Sequence, residues 1–302
     1  MRILIVCSGN SGGIAPFIEE QVDALKKKGD KISFFLIKGS GISGYLKNYV
    51  HYKKAINNFK PVLIHAHYGL SGLFANLQRS IPVITTYHGS DINNAKVLLF
   101  SKIAVKLSVK NIFVSQKLLS KVHQSVKNVL IPCGIDTAVF YPIDKIQARK
   151  EMGFTPEARL VLFSSAFTNT VKNYPLAKNA IEKLKNVKLI ELKGYTREEV
   201  NLLYNACDVS LMTSFTEGSP QFIKESMACN RPIVATDVGD VKWLVKGLAG
   251  CFVTSFDVHD VANKIQKALE FGQRTKGRDR IVDLGIDAET IANEVIETYK
   301  KV

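Results

Sequence analysis

Two glutamates eight positions apart, Glu217 and Glu225, bracket Gly218-Ser219-Pro220-Gln221-Phe222-Ile223-Lys224. Gly-Ser-Pro is the composition of a loop turning into a helix. Ser219 fits the N-cap, Pro220 the first helical position and Asn230 the C-terminal stop. The unbonded backbone N–H groups of such a first turn point outward with a partial positive charge behind them. That is an anion site. Gln221 and Glu225 share a helical face, so Glu225 sits about one turn, roughly 5 Å, below the opening. The window can hold a phosphate at its mouth and offer carboxylates to hydroxyl groups on either side, the layout that a sugar nucleotide presents. It also fits an ordinary helix with exposed glutamates.

Other residues stand where chemistry is done. Ser8-Gly9-Asn10-Ser11-Gly12-Gly13 follows an apolar run, Arg2–Cys7, and precedes a helical pattern. Phosphates are cradled at that position, although the spacing is not that of a dinucleotide fingerprint and a tight turn alone would read the same. Tyr87-His88-Gly89-Ser90-Asp91 follows the β-rich run Val83–Thr86. A histidine beside a glycine at a strand's carboxyl end can donate to a sugar hydroxyl or to developing charge, so His88 is preferred over the other five histidines; it could also simply pack the domain face. His65 and His67 share a strand face, with no carboxylate nearby to complete a metal site. His67 is expected to line an acceptor pocket and His65 to be structural. Lys172 follows the run Leu160–Ser164 by a loop, where a lysine can neutralise a leaving diphosphate.

Strand and helix patterns alternate twice along 302 residues, which predicts an α/β protein of two doubly wound parallel sheets. In the first half the runs are Arg2–Cys7, Lys31–Ile37, Val62–His65, Val83–Thr86, Asn111–Val114 and Asn128–Ile131. In the second they are 160–164, 187–191, 208–212, 232–235 and 251–253. The Ile131–Pro142 loop, with two prolines and a glycine, interrupts the rhythm. The expected domains are 1–142 and 143–287, with a final helix at 288–302. Ligands of such sheets bind beyond the strands' carboxyl ends.

Hydrophobic residues at 46% and charged ones at 23% are ordinary for a globular protein, and no apolar run is long enough to span a membrane. Five cysteines without C-x-x-C spacing argue for a reducing compartment and against structural zinc. Charge is uneven. Residues 1–140 hold 18 Lys and Arg against 6 Asp and Glu, so +12 of the formal +14 lies there, and Lys31 to Ser90 contains no acid. Such a field attracts nucleic acid, anionic membrane or acidic substrates. Tyr45–Phe59 reads as a helical stretch carrying Lys47, Lys53 and Lys54 among tyrosines. Lys102, Lys106 and Lys110 read as a stripe. Lysine beside interfacial aromatics suits an anionic membrane surface, while a stripe alone also describes a solvated face.

The 217–225 window and its sequel Ser226-Met227-Ala228-Cys229-Asn230-Arg231-Pro232-Ile233-Val234-Ala235-Thr236 resemble the E-x7-E motif and the E-A-M-A-x-G-x-P-V-V-A sequel of family 4 glycosyltransferases. Those enzymes have the GT-B architecture of two Rossmann-like domains facing a cleft. The resemblance implies an acceptor- and membrane-facing first domain, a donor domain second, and a final helix that crosses back to the first. Ile131–Pro142 is similar to the family's I-P-N-G-V-D-x-x-x-F-x-P. The resemblance implies that Glu217 reaches the donor sugar, Glu225 binds the ribose, and Gly218, Ser219 and Pro220 hold the diphosphate. It implies that Gly12 and Gly13 face the diphosphate or acceptor and that His88 lies close to the donor sugar. Gly194-Tyr195-Thr196 resembles the base-binding turn, which brings in Tyr195. Lys172 matches the lysine of G-R-x-x-x-x-x-K, but Ser165 and Ala166 replace the glycine and arginine. Asp237–Trp243 stands where x-x-G-G-x-x-E is common; Asp240 and Trp243 depart from it, and no catalytic role follows.

The implied activity is retaining transfer of a hexose from a UDP- or GDP-sugar to a saccharide or lipid-linked saccharide, in cell-surface polysaccharide synthesis. It is expected to need no metal or other cofactor, to involve no nucleic acid, and to occur in the cytoplasm, peripherally on the inner face of the cell membrane. A GT-B sugar-nucleotide 2-epimerase is a second reading, distinguished by isomerisation without any acceptor. A non-catalytic basic membrane- or nucleic-acid-binding relative is a third, distinguished by the lack of a thermal shift with UDP or GDP.

Overall fold

The structure is a computed structural model. It describes residues 1–302 except Ser11 and Ser40, and the side chains of residues 41–43 are also outside the description. Ser11 of the glycine loop therefore lies outside the described residues. The chain divides into two units, residues 1–134 with 288–302, and residues 135–287.

Unit 1 carries a parallel sheet of β1 (Arg2–Ser8), β2 (Lys31–Ile37), β3 (Leu63–His67), β4 (Val83–Tyr87), β5 (Lys110–Phe113) and β6 (Asn128–Leu130). The order is β2-β1-β3-β4-β5-β6. Successive side chains of a strand point to opposite faces, and both faces here are covered, so the strands read as continuous apolar runs. Ile3 and Ile5 pack with Val22, Ile84, Val295 and Tyr299. Leu4 and Val6 pack on the other face with Tyr52, Ile64 and Phe74. Val295 and Tyr299 belong to the closing helix, Ala288–Lys300, which is part of this core.

Unit 2 carries β7 (Arg159–Phe163), β8 (Val187–Ile190), β9 (Val209–Met212), β10 (Ile233–Thr236) and β11 (Cys251–Thr254), all parallel, in the order β11-β10-β9-β7-β8. Leu160 and Leu162 face one core cluster, Val161 and Phe163 the other. From β7 the chain first builds β8 on one side and then returns to build β9 on the other. The loops after β7 and β9 therefore part at the point where a doubly wound sheet opens to ligands. In unit 1 the same reversal falls between β1 and β3.

Four expectations need correction. The unit boundary lies at Gly134/Ile135, eight residues before the expected Pro142/Ile143 junction. Tyr45–Phe59 is not one helix: it breaks at Asn48 between Gly41–Lys47 and Tyr49–Phe59. The Asn48 amide donates to the Lys38 carbonyl (2.7 Å) and the Gly44 carbonyl (2.6 Å), a competition with the helix ladder that asparagine favours. Lys110 leaves the expected stripe because the helix Ala95–Leu107 has already ended. Lys110 opens β5 and donates to the Val126 carbonyl. Ser219 does not cap the signature helix, which runs Gln221–Ala228 with Pro220 as N-cap and no side-chain cap bond.

Candidate active site

In unit 2 the loops after β7 and β9 are tied together. The first contains a 3₁₀ turn, Thr170–Lys172, which the Asn169 side chain caps. The Thr213 hydroxyl, just past β9, donates to the Lys172 carbonyl (2.9 Å), and the Phe215 N–H to the Val171 carbonyl (3.0 Å). Lys172 Nζ then reaches Glu217 Oε1 at 2.5 Å. A charge-assisted contact this short, between side chains only partly exposed, fixes both at the loop mouth.

Glu225 lies one helical turn further in. The Arg197 guanidinium donates to Oε1 (2.9 Å) and the Tyr204 hydroxyl to Oε2 (2.7 Å). Arg197 stacks on the Phe140 ring at 4.4 Å, a cation–π contact that holds the guanidinium flat. It opens the helix Arg197–Ala206, capped by a Thr196–Glu199 capping box. Tyr195 precedes that cap and is exposed, following Gly194 at φ +80°. Tyr204 is fully buried, and burial pushes its hydroxyl well above the usual range, so it stays a donor.

Beneath Gly218 a buried polar chain replaces the expected serine cap. The buried Lys224 donates to Ser219 Oγ (2.5 Å), and Ser219 Oγ donates to Asp240 Oδ2 (2.5 Å). Burial raises the Asp240 carboxyl, an effect that the Lys224 charge opposes. Gly239, at φ +56°, is required here: a Cβ would lie 2.5 Å from the Gly218 carbonyl oxygen. The 237–240 loop thus supports the Gly218–Ser219 backbone directly.

In unit 1 the turn after β4 is held by Asp91. Its carboxylate accepts the N–H groups of Gly89 (2.8 Å), His88 (3.1 Å) and Gly69 (3.1 Å). Burial raises its pKa to about 6, against the lowering effect of those donors. His88 is half-buried, with its ring against Phe17 and Tyr68. Its Nε2 is 3.0 Å from His67 Nδ1. His67 is therefore not a pocket-lining residue: it is fully buried, stacked between His65 and His88, and burial holds it neutral well below the usual histidine range. His65 is locked between Tyr299 Oη (2.6 Å) and Thr86 Oγ1 (2.7 Å). A pocket of about 390 Å³ lies between the end of β1 and this turn, lined by Ser8, Tyr68, Ser90 and Asp91 among others. Gly12, at φ +87°, and Gly13 are exposed and do not line it. Among the described residues, no three His, Cys, Asp or Glu cluster as metal ligands would.

Two family models match the chain in succession. The model described as Glycosyltransferase Family 4 matches residues 30–139, and the one described as Glycosyl transferases group 1 matches residues 144–270. This chain is a family 4 glycosyltransferase. The transferase is 28% identical over 257 residues to an uncharacterized glycosyltransferase of Methanocaldococcus jannaschii, covering 78% of this chain and 73% of that protein. It is 24% identical over 267 residues to a D-inositol 3-phosphate glycosyltransferase of Mycobacterium, covering 72% of this chain but only 61% of that one. Its fold is that of GT-B enzymes. Sucrose-phosphate synthase from Thermosynechococcus elongatus superposes with a TM-score of 0.84 at 19% identity, covering 99% of this chain and 98% of that one. Anabaena HepE, solved with UDP-glucose, superposes at 0.78 and 17%, with all of both chains covered.

In the transferase, Lys172, Glu217, Gly218, Ser219, Pro220 and Glu225 lie in the segments that follow β7 and β9. Arg197, Tyr204, Lys224, Asp240 and Asp91 escaped sequence reading. A signal existed for one of them: Arg197 puts a cation at the positive end of a helix, a placement that calls for a carboxylate partner. The arginine position stays empty of charge at Ala166, whose flanking Phe167 N–H donates to Glu191 (2.7 Å).

Proposed function

We propose that this transferase moves a hexose from a UDP- or GDP-sugar to a hydroxyl of a saccharide or lipid-linked saccharide, with retention of configuration, in cell-surface polysaccharide synthesis. The observation that carries this is the pair of fixed carboxylates flanking the Gly218–Pro220 helix entry, Glu217 on Lys172 and Glu225 on Arg197 and Tyr204. Glu225 accepts from the ribose hydroxyls, and Tyr195 borders the base. The backbone after Gly218 and the Lys172 ammonium hold the diphosphate, while Glu217 bonds the hexose. With Ala166 in place of an arginine, more of the phosphate charge falls on Lys172 and the helix entry. The acceptor oxygen bonds to C1 as the bond from C1 to the diphosphate breaks, and the acceptor proton passes to the departing phosphate oxygen. No side chain then needs to act as general base. The solved relative with UDP-glucose supports the choice of donor. The basic first half supports a peripheral place on an anionic membrane.

Thermal-shift titration with UDP, GDP and their sugars tests donor class. One nucleotide should raise the melting temperature, and Glu225→Ala should remove that rise. Glu217→Ala should retain nucleotide binding and lose transfer by 100-fold or more, on the order of 3 kcal/mol in transition-state stabilisation. Wild-type transfer rates in both variants would end this assignment.

A further inference from the structure

Next to the pocket lined by Ser90 and Asp91, unit 1 has an apolar groove of about 280 Å³ that the family motifs do not explain. Its floor is Leu70, Leu73 and Phe74, and its walls are Leu46, Leu77 and Phe100, which are 56%, 47% and 38% exposed. Tyr45, Leu70 and Val97 line both the groove and the pocket, so the two are continuous. The groove is built rather than incidental. A Cβ at Gly69 would lie 2.0 Å from Ser101 Oγ, and one at Gly72 2.5 Å from Thr85, so only glycines let the floor helix Gly69–Ala75 seat this deeply.

The rim is cationic. Lys47 adjoins Leu46 and Lys96 adjoins Val97, both exposed, while Lys102 and Lys106 fall on the far face of the Val97–Phe100 helix. Between Lys31 and Ile135 the sole acidic residue is Asp91, which is buried and turned onto backbone N–H groups. A second copy of this chain would bring its own excess of positive charge to the same place. One chemistry fits all three parts: an apolar chain for the groove, a phosphate for the lysines and a hydroxyl-bearing head for the pocket.

We infer that the groove binds the hydrocarbon tail of an anionic lipid whose sugar head is the acceptor. This rests on the reading that unit 1 binds the acceptor, and it narrows that acceptor to a lipid phosphate. The lysine stems cover apolar surface while their ammonium groups meet the phosphate. The Ser90–Asp91 end of the pocket receives the head.

Titration of the full-length protein with decyl phosphate below its micellar concentration tests this, with inorganic phosphate and decyl maltoside as comparisons. Decyl phosphate should saturate at one site, at least tenfold tighter than either comparison. Leu73→Trp, which fills the groove, should weaken it tenfold or more. Leu46→Gln with Leu77→Gln, at exposed positions that folding tolerates, should do the same. All variants should keep the wild-type thermal shift with the preferred nucleotide. Loss of that shift in wild type, with decyl phosphate still saturating, would overturn the transferase reading and leave the groove standing. Unsaturable decyl phosphate binding, equal binding by all variants, or tighter binding of an acidic amphipathic peptide would overturn the lipid groove.

Discussion

Glu225 shows how a carboxylate is prepared rather than merely present. Arg197 and Tyr204 take one oxygen each, so the carboxylate is oriented before any hydroxyl arrives. Asp91 is the opposite case, a carboxylate spent on structure. It holds the His88 turn through three backbone N–H groups, yet burial still raises its pKa to about 6. A carboxyl raised in the folded state favours folding below its unfolded pKa, near 4, and that contribution is lost as pH rises through 6. Relative to Asp91→Asn, the wild-type protein should therefore lose about 2 kcal/mol of stability between pH 4 and pH 7. Parallel urea unfolding curves across that range check it. A constant difference between the two proteins would contradict it.

At the scale of elements, the Gly218–Ser219 loop depends on the loop beside it. Gly239→Ala puts a methyl group 2.5 Å from the Gly218 oxygen at φ +56°, so the Gly218–Ser219 backbone must move. Gly247, at φ +78° with no atom within 4 Å of an added methyl group, is the control. Gly247→Ala should cost about 1 kcal/mol and leave nucleotide affinity unchanged. Gly239→Ala should weaken nucleotide binding tenfold or more, read by calorimetric titration. All eleven strands among the described residues were legible because β-rich runs buried on both faces have few other places to go. The places of Lys172, Glu217 and Glu225 after β7 and β9 were legible because turn composition and the family resemblance locate them. The break at Asn48, the early end of the Lys102–Lys106 helix and the diversion of Ser219 to Asp240 were not. The break at Asn48 and the diversion of Ser219 follow partners, Lys38 and Asp240, that local pattern does not name. His67 misled for a related reason: strand alternation gives its face but not whether another ring covers that face.

At the scale of the molecule, charge and chain path are both uneven. The basic excess lies in the first 140 residues, and among the described residues no helix is long and apolar enough to cross a membrane. The closing helix belongs to unit 1 and supplies Ile291, Ala292, Val295 and Tyr299 to its core. Deleting 288–302 should lower the unit 1 melting transition by 15 °C or more, since each lost buried aliphatic or aromatic side chain costs about 1–3 kcal/mol. The unit 2 transition, followed by its nucleotide-induced shift, should persist; differential scanning calorimetry with and without nucleotide separates them. The same path sets an order of events during synthesis. Unit 2 is continuous from 135 to 287 and can close as soon as it leaves the ribosome, whereas the sheet begun by Arg2 waits for Tyr299 to seal His65. The half that is translated first is completed last, and until then its strongly basic, apolar surface is in the care of whatever meets the nascent chain.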